Sequence, residues 1–216
     1  MDKVIKKYTI KAIMLLLAYG VMASANATLV TINMTADNIV NSGGLCFDAS
    51  CTDGTGWTTL NSGTLPNMGD WTKSDSLTLD LGPGTYSFAW NITNIGTASS
   101  SNPAALLAEI MWDGNVNYSS SSWEVYDINT GATLANATEY GNNGGANIWT
   151  SVNGGAVAGI STNANWIYTA NNFANADPSA WIRTSITING VPEPGMLALL
   201  GIGLLGLTLT SRKRNA

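Results

Sequence analysis

Between residues 76 and 92, apolar and polar side chains alternate with a period of two. Leu77, Leu79 and Leu81 alternate with Ser76, Thr78 and Asp80, and beyond Gly82-Pro83-Gly84 the residues Tyr86, Phe88, Trp90 and Ile92 alternate with Thr85, Ser87, Ala89 and Asn91. Successive side chains of an extended chain point to opposite faces, so both runs predict strands with one apolar face, and the break between them predicts a hairpin. Similar runs predict strands over 29–34, 106–112, 123–127, 147–152, 166–170 and 181–188. No amphipathic helical period separates them. The expected fold class is therefore all-β, a β-sandwich, with a jelly roll among the arrangements it admits. The stretch 129–165 is the least strand-like, because Asn142-Asn143-Gly144-Gly145 and Asn153-Gly154-Gly155 tolerate positive φ and predict turns or mobile loops.

The two ends of the chain follow other rules. Residues 1–27 carry Lys3, Lys6, Lys7 and Lys11, then an apolar run over 12–22, then Ala25-Asn26-Ala27 with small residues at the cleavage positions. That order predicts a secretory signal peptide cut after Ala27 by signal peptidase. The alternative, an uncleaved anchor, has an apolar run about half the roughly 20 residues a spanning helix needs. Residues 191–216 read Val191-Pro192-Glu193-Pro194-Gly195, an apolar segment over 196–210, and Arg212-Lys213-Arg214. About 15 residues span about 23 Å as a helix, short for a hydrocarbon core of about 30 Å. The basic cluster would stay on the cytoplasmic side and leave the domain before it outside. The middle segment, 28–190, is the expected extracellular domain.

The order Val-Pro-Glu-Pro-Gly, Leu/Gly-rich apolar segment and basic tail resembles the PEP-CTERM sorting signal. The resemblance implies recognition by an exosortase that processes the chain near Pro192-Glu193-Pro194. It also implies delivery to the cell surface or extracellular matrix, with an inner-membrane anchor that is transient or retained, and an association with exopolysaccharide and biofilm. It covers only the last 26 residues and does not reach the central domain. Within it, Gly201-Ile202-Gly203-Leu204-Leu205-Gly206 matches the dinucleotide-binding pattern by spacing alone. That pattern needs a preceding strand and an acidic residue about 20 positions later, and here the chain ends ten residues on.

Composition narrows the chemistry of the central domain. Of the basic residues only Lys73 and Arg183 fall within 28–190, against twelve Asp and Glu, which leaves a net charge of −10 there. Such a surface repels phosphate backbones, so no nucleic-acid partner is expected. The chain contains no histidine, which removes Ser-His-Asp and Cys-His catalysis. Paired carboxylates, Glu109 with Asp113 or Glu124 with Asp127, keep a secreted glycan hydrolase as a distant alternative to a non-catalytic protein. Cys46 and Cys51, the only cysteines, are separated by four residues in a loop-like context. In an oxidising compartment they are expected to form a disulfide, since a zinc site would lack ligands.

Two further patterns are candidate sites. Asp113, Asn115, Asn117, Ser119, Ser121 and Glu124 fall at positions 1, 3, 5, 7, 9 and 12 of an EF-hand-like loop and could offer oxygens to calcium, although Tyr118 stands where that loop needs glycine. A plain hydrophilic hairpin loop is the competing reading. All eight tryptophans lie within 28–190. Most are expected to fill the core, Trp90 among them. Trp57 and Trp71, in Gly/Asp/Thr-rich surroundings, are the candidates for exposed indoles that stack on sugar rings and would make the domain a carbohydrate-binding module.

Overall fold

In the computed structural model of the protein, the described residues are 27–46, 58–60, 65–127, 129–170 and 179–190, with side chains omitted for 41–46 and 58–60. The signal-peptide and sorting-signal segments, the Cys46–Cys51 pairing and Trp57 lie outside them. Ala27–Asn189 form one compact unit, whose described residues make twelve strands and one short helix. In chain order these are β1 (Thr28–Asp37), β2 (Ile39–Cys46), β3 (Thr58–Leu60), β4 (Asp75–Leu81), β5 (Gly84–Thr93), β6 (Ala105–Trp112), β7 (Asn115–Tyr118), β8 (Glu124–Tyr126), β9 (Thr133–Asn136), β10 (Thr138–Asn142), α1 (Ile148–Asn153), β11 (Asn165–Tyr168) and β12 (Ser179–Ile188). The fold is all-β. One sheet runs β10-β11-β6-β1-β4, with β7 also paired to β6, and the second runs β3-β2-β5-β12-β8-β9. Every pairing is antiparallel.

The alternation read from the sequence sets the main core. Val30, Ile32, Met34 and Ala36 of β1 and Leu106, Ala108 and Ile110 of β6 meet Phe88, Trp90 and Ile92 of β5 and Ile182, Ile186 and Ile188 of β12 in one buried cluster. The two sheets thus share an interior, as sandwich layers do. Trp90 is fully buried and stacks between Phe88, at 6.3 Å and 12°, and Trp123, at 5.6 Å and 14°.

The runs at 76–81 and 85–92 are strands, but they are not partners. β4 pairs with β1, from Thr28↔Leu81 to Met34↔Asp75, whereas β5 lies between β2 and β12 in the other sheet. Gly82 and Pro83 turn a corner between sheets. The Tyr86 hydroxyl donates to the Gly82 carbonyl at 2.9 Å and pins that corner. Side-chain period fixes which face a strand buries and leaves its neighbour open. Both apolar rows point into the same interior whether the chain folds back or changes sheet.

The strand expected at 147–152 is instead α1. Asn147 caps it, its Oδ1 accepting from Thr150 N at 2.9 Å, and Gly154 ends it in the left-handed region at φ 74°. These are ordinary helix stop and start residues, and they outweigh the strand preference of Ile148, Trp149 and Val152.

The Asn/Gly-rich stretch around α1 is a packed cover and not a set of free loops. Trp149, Val157, Ile160 and Ala164 cluster with Ala105, Leu107 and Trp166 on the outer face of the first sheet. The side chain of Asn143 is buried, donating to the Val157 carbonyl at 3.0 Å and the Ile160 carbonyl at 2.8 Å and accepting from Val157 N at 2.8 Å. It takes the place of backbone partners that an irregular segment lacks. Trp149 stacks on Trp166 at 4.7 Å and 13° and donates its indole N–H to Asp37 Oδ2 at 2.8 Å. Among the described residues, no helix is long and apolar enough to cross a membrane.

Candidate functional site

Along β12 the even positions Ala180, Ile182, Ile186 and Ile188 are buried, which turns Ser179, Trp181, Arg183, Ser185 and Thr187 to the outer face of the second sheet. Register then decides what stands beside them. Trp181 lies between Asn91 of β5 and Tyr126 of β8, and Arg183 lies next to Glu124. The Trp181 and Tyr126 rings meet edge to face, with centroids 6.1 Å apart at 66°. The guanidinium of Arg183 sits 4.7 Å over the Tyr126 ring. Its Nε donates to Glu124 Oε2 at 2.8 Å and its Nη2 to Thr133 Oγ1 at 3.1 Å. Stacking and the ion pair hold the arginine flat, so it braces the aromatic floor.

Beside this floor opens a groove of about 370 Å³, lined by Trp181, Tyr126, Asn91, Asp127, Leu134 and Ser179 among others. Trp181 is partly exposed and Leu134 is 65% exposed. The Asp127 carboxylate is held below its ordinary pKa, first by the backbone N–H of Asn129 and next by the Thr130 hydroxyl, and so stays ionised. Those same bonds shape the turn from β8 to β9, where Asn129 N and Nδ2 both reach Asp127 Oδ1. The Ser179 hydroxyl donates to Asn91 Oδ1 at 2.9 Å. Tyr126 is buried, its hydroxyl has no hydrogen-bond partner, and burial raises its pKa against the pull of Arg183. The surface offered is one partly exposed indole, Trp181, with amide, hydroxyl and carboxylate groups along one side, a combination that suits a sugar ring's C–H face and hydroxyls.

The residues singled out from the sequence are placed elsewhere. Trp71 is partly buried and packs edge-on against Trp166 at 6.2 Å and 77°, at the margin of the cluster under the cover segment. The proposed calcium loop does not exist as a loop. Asp113 and Gly114, with φ of 46° and 75°, make a two-residue turn closed by the pair Trp112↔Asn115, and 115–118 form β7. An Asp-Gly pair at positive φ is the usual hairpin turn. At about 3.3 Å per residue, β7 alone sets Asn115 and Asn117 about 7 Å apart along the strand and Ser119 lies beyond its end, more than a cation with ligands at about 2.3–2.6 Å can gather.

Their oxygens are also engaged. Asp113 Oδ2 accepts from the Thr28 hydroxyl. Asn117 Oδ1 accepts from the Trp123 indole N–H while its Nδ2 donates to Thr184. Ser119 Oγ bridges Ala108 N and the Asn165 carbonyl, and Glu124 holds Arg183. Among the described residues, no group of three His, Cys, Asp or Glu side chains could hold a metal ion. The carboxylates weighed as an acid–base pair have structural partners as well: buried Glu109 accepts from Asn33 Nδ2 at 2.9 Å and from Ser161 N at 3.1 Å. Sequence reasoning missed Trp181. The signal was present, because the inward Ile182, Ile186 and Ile188 place Trp181 and the arginine two residues on together on the outer face.

The fold and groove define an all-β domain of two antiparallel sheets with an aromatic and polar recess on an outer face. Beyond that domain, residues 190–214 match the family model of the PEP-CTERM protein-sorting motif. No curated protein and no solved structure shows significant similarity to the chain. The chain carries this motif where its Pro-Glu-Pro sequence predicted it, and the motif implies export, processing by an exosortase and sorting to the cell surface.

Proposed function

We propose that this is a non-catalytic surface or extracellular-matrix protein that holds exopolysaccharide in the groove beside Trp181 and Tyr126, as a carbohydrate-binding module would. The observation that carries the reading is the pairing of a partly exposed indole with Asn91, Asp127 and Ser179 along one recess. The sorting motif at 190–214, which implies export to the cell surface, supports this reading, because a glycan-holding domain there would meet exopolysaccharide. Catalysis finds little support: the chain lacks histidine, Glu124 is paired with Arg183, and Asp127, the carboxylate that lines the groove, is held by Asn129 and Thr130.

The test is a titration of the purified exported protein with exopolysaccharide from its own host, followed by tryptophan fluorescence. Saturable quenching that is lost in Trp181→Ala and kept in Trp71→Ala is expected. A flat response in the wild type would leave the domain as an acidic structural unit of the coat or matrix, without a glycan ligand.

A further inference from the structure

The ligand's charge class follows from the groups around the groove. Among the described residues the basic side chains are Arg183, at the aromatic floor, and Lys73, which precedes β4 of the other sheet and is paired with Asp70 at 2.6 Å. The charge of Arg183 is offset by Glu124: its Nε is on that carboxylate, its Nη2 is on Thr133, its face is over Tyr126, and its side chain is 15% exposed. Asp127, by contrast, lines the recess as a carboxylate. Among the described residues Asp127 is the only charged side chain that lines the groove, and the Glu124–Arg183 pair beside it adds no net charge, inside a segment 28–190 of net charge −10. The polar groups lining the recess are amides, hydroxyls and one carboxylate, and the carboxylate repels a uronate, sulfate or phosphate but not a sugar hydroxyl.

We infer that the groove takes an uncharged stretch of glycan and discriminates against chains bearing carboxylate, sulfate or phosphate. This rests on the glycan-holding reading above and adds the chemical class of its ligand. Selection by charge acts at a distance, so it needs no bond specific to one sugar and is weakened by salt.

The experiment uses one polysaccharide in two forms. Host exopolysaccharide is treated by carbodiimide and borohydride to reduce every uronate to the neutral sugar, and a second portion is oxidised at its primary alcohols to carry a carboxylate on each. Both are titrated against the exported protein at low salt and at 0.5 M salt. The expected result is that the neutral form binds at least about tenfold more tightly at low salt and that the gap narrows at high salt. In Glu124→Gln, which removes one charge and unpairs Arg183, the ratio of the two affinities should fall. Equal or tighter binding of the carboxylated form, with quenching still lost in Trp181→Ala, would overturn the charge inference and leave the glycan site standing. Absence of Trp181-dependent quenching by either form would remove both.

Discussion

Replacing Trp149 with Phe isolates the link between the cover segment and the sandwich. The indole N–H donates to Asp37 Oδ2 at 2.8 Å across 112 residues of sequence, and Asp37 is 4% exposed at the end of β1. Burial pushes the Asp37 pKa up to about 6, while hydrogen bonds from Trp149 and then Asn38 act to lower it. Because the folded value lies above that of an ordinary aspartate near 3.9, folding favours the protonated form. Stability from this group is complete below about pH 4 and is lost as pH rises through 6, by roughly 3 kcal/mol in all.

Phe keeps most of the stack on Trp166 and removes the donor. The lost bond to an ionised carboxylate costs about 1.5–3 kcal/mol at pH 8. Against a protonated Asp37 at pH 4 it costs about 1 kcal/mol, and the smaller ring adds about 1 kcal/mol at either pH. The expected loss is therefore about 3 kcal/mol at pH 8 and about 2 kcal/mol or less at pH 4, read from urea unfolding followed by circular dichroism. Asp70 and Asp127, whose pKa values lie below the ordinary range, have the opposite pH dependence but are common to both proteins and cancel in the difference. Equal losses at the two pH values, or a loss below about 0.5 kcal/mol at pH 8, would refute the indole–carboxylate anchor.

Two further substitutions test the packing. Asn143→Ala leaves the Val157 and Ile160 carbonyls and the Val157 N–H without their partner; a loss of about 3 kcal/mol is expected, with faster amide hydrogen exchange confined mainly to 143–164. Unchanged exchange there would mean the cover does not depend on this side chain. Tyr126→Phe removes a buried hydroxyl that has no partner and should leave urea stability unchanged or raise it by about 1 kcal/mol, where a bonded tyrosine would lose about that amount.

Much of the sandwich was legible because β4 and β12 alternate closely with a two-residue period and the other long strands carry large apolar side chains on one face. β1, β6, β11 and β12 overlap the strands expected at 29–34, 106–112, 166–170 and 181–188, and β5 contains the alternating run 85–92 with Trp90 on its buried face. What alternation does not encode is the partner, which is why β4 and β5 look like a hairpin and lie in different sheets. The missed helix has a local cause: Ile148, Trp149 and Val152 prefer strands, and the decision rests on one cap at each end, Asn147 and Gly154. The Asn/Gly run at 142–155 was misleading for a related reason, since residues that permit turns also permit Asn143 to fold inward and satisfy a buried backbone. In the supposed calcium loop the spacing of oxygens was real, but Val116 and Tyr118 between them alternate as a strand does, and Asp113-Gly114 marked a hairpin turn. The groove needed both kinds of information: β12 alternation puts Trp181 and Arg183 outward, while only the register with β8 brings Tyr126 and Glu124 beside them.

The central claim is that this domain reaches the cell exterior through its C-terminal sorting signal, and the most direct test is the intact mass of the protein recovered from its native host with and without the exosortase. A chain that begins at Thr28 and ends near Val191 only when the exosortase is present is the expected result. A species that retains residues 196–216 in both strains would contradict it.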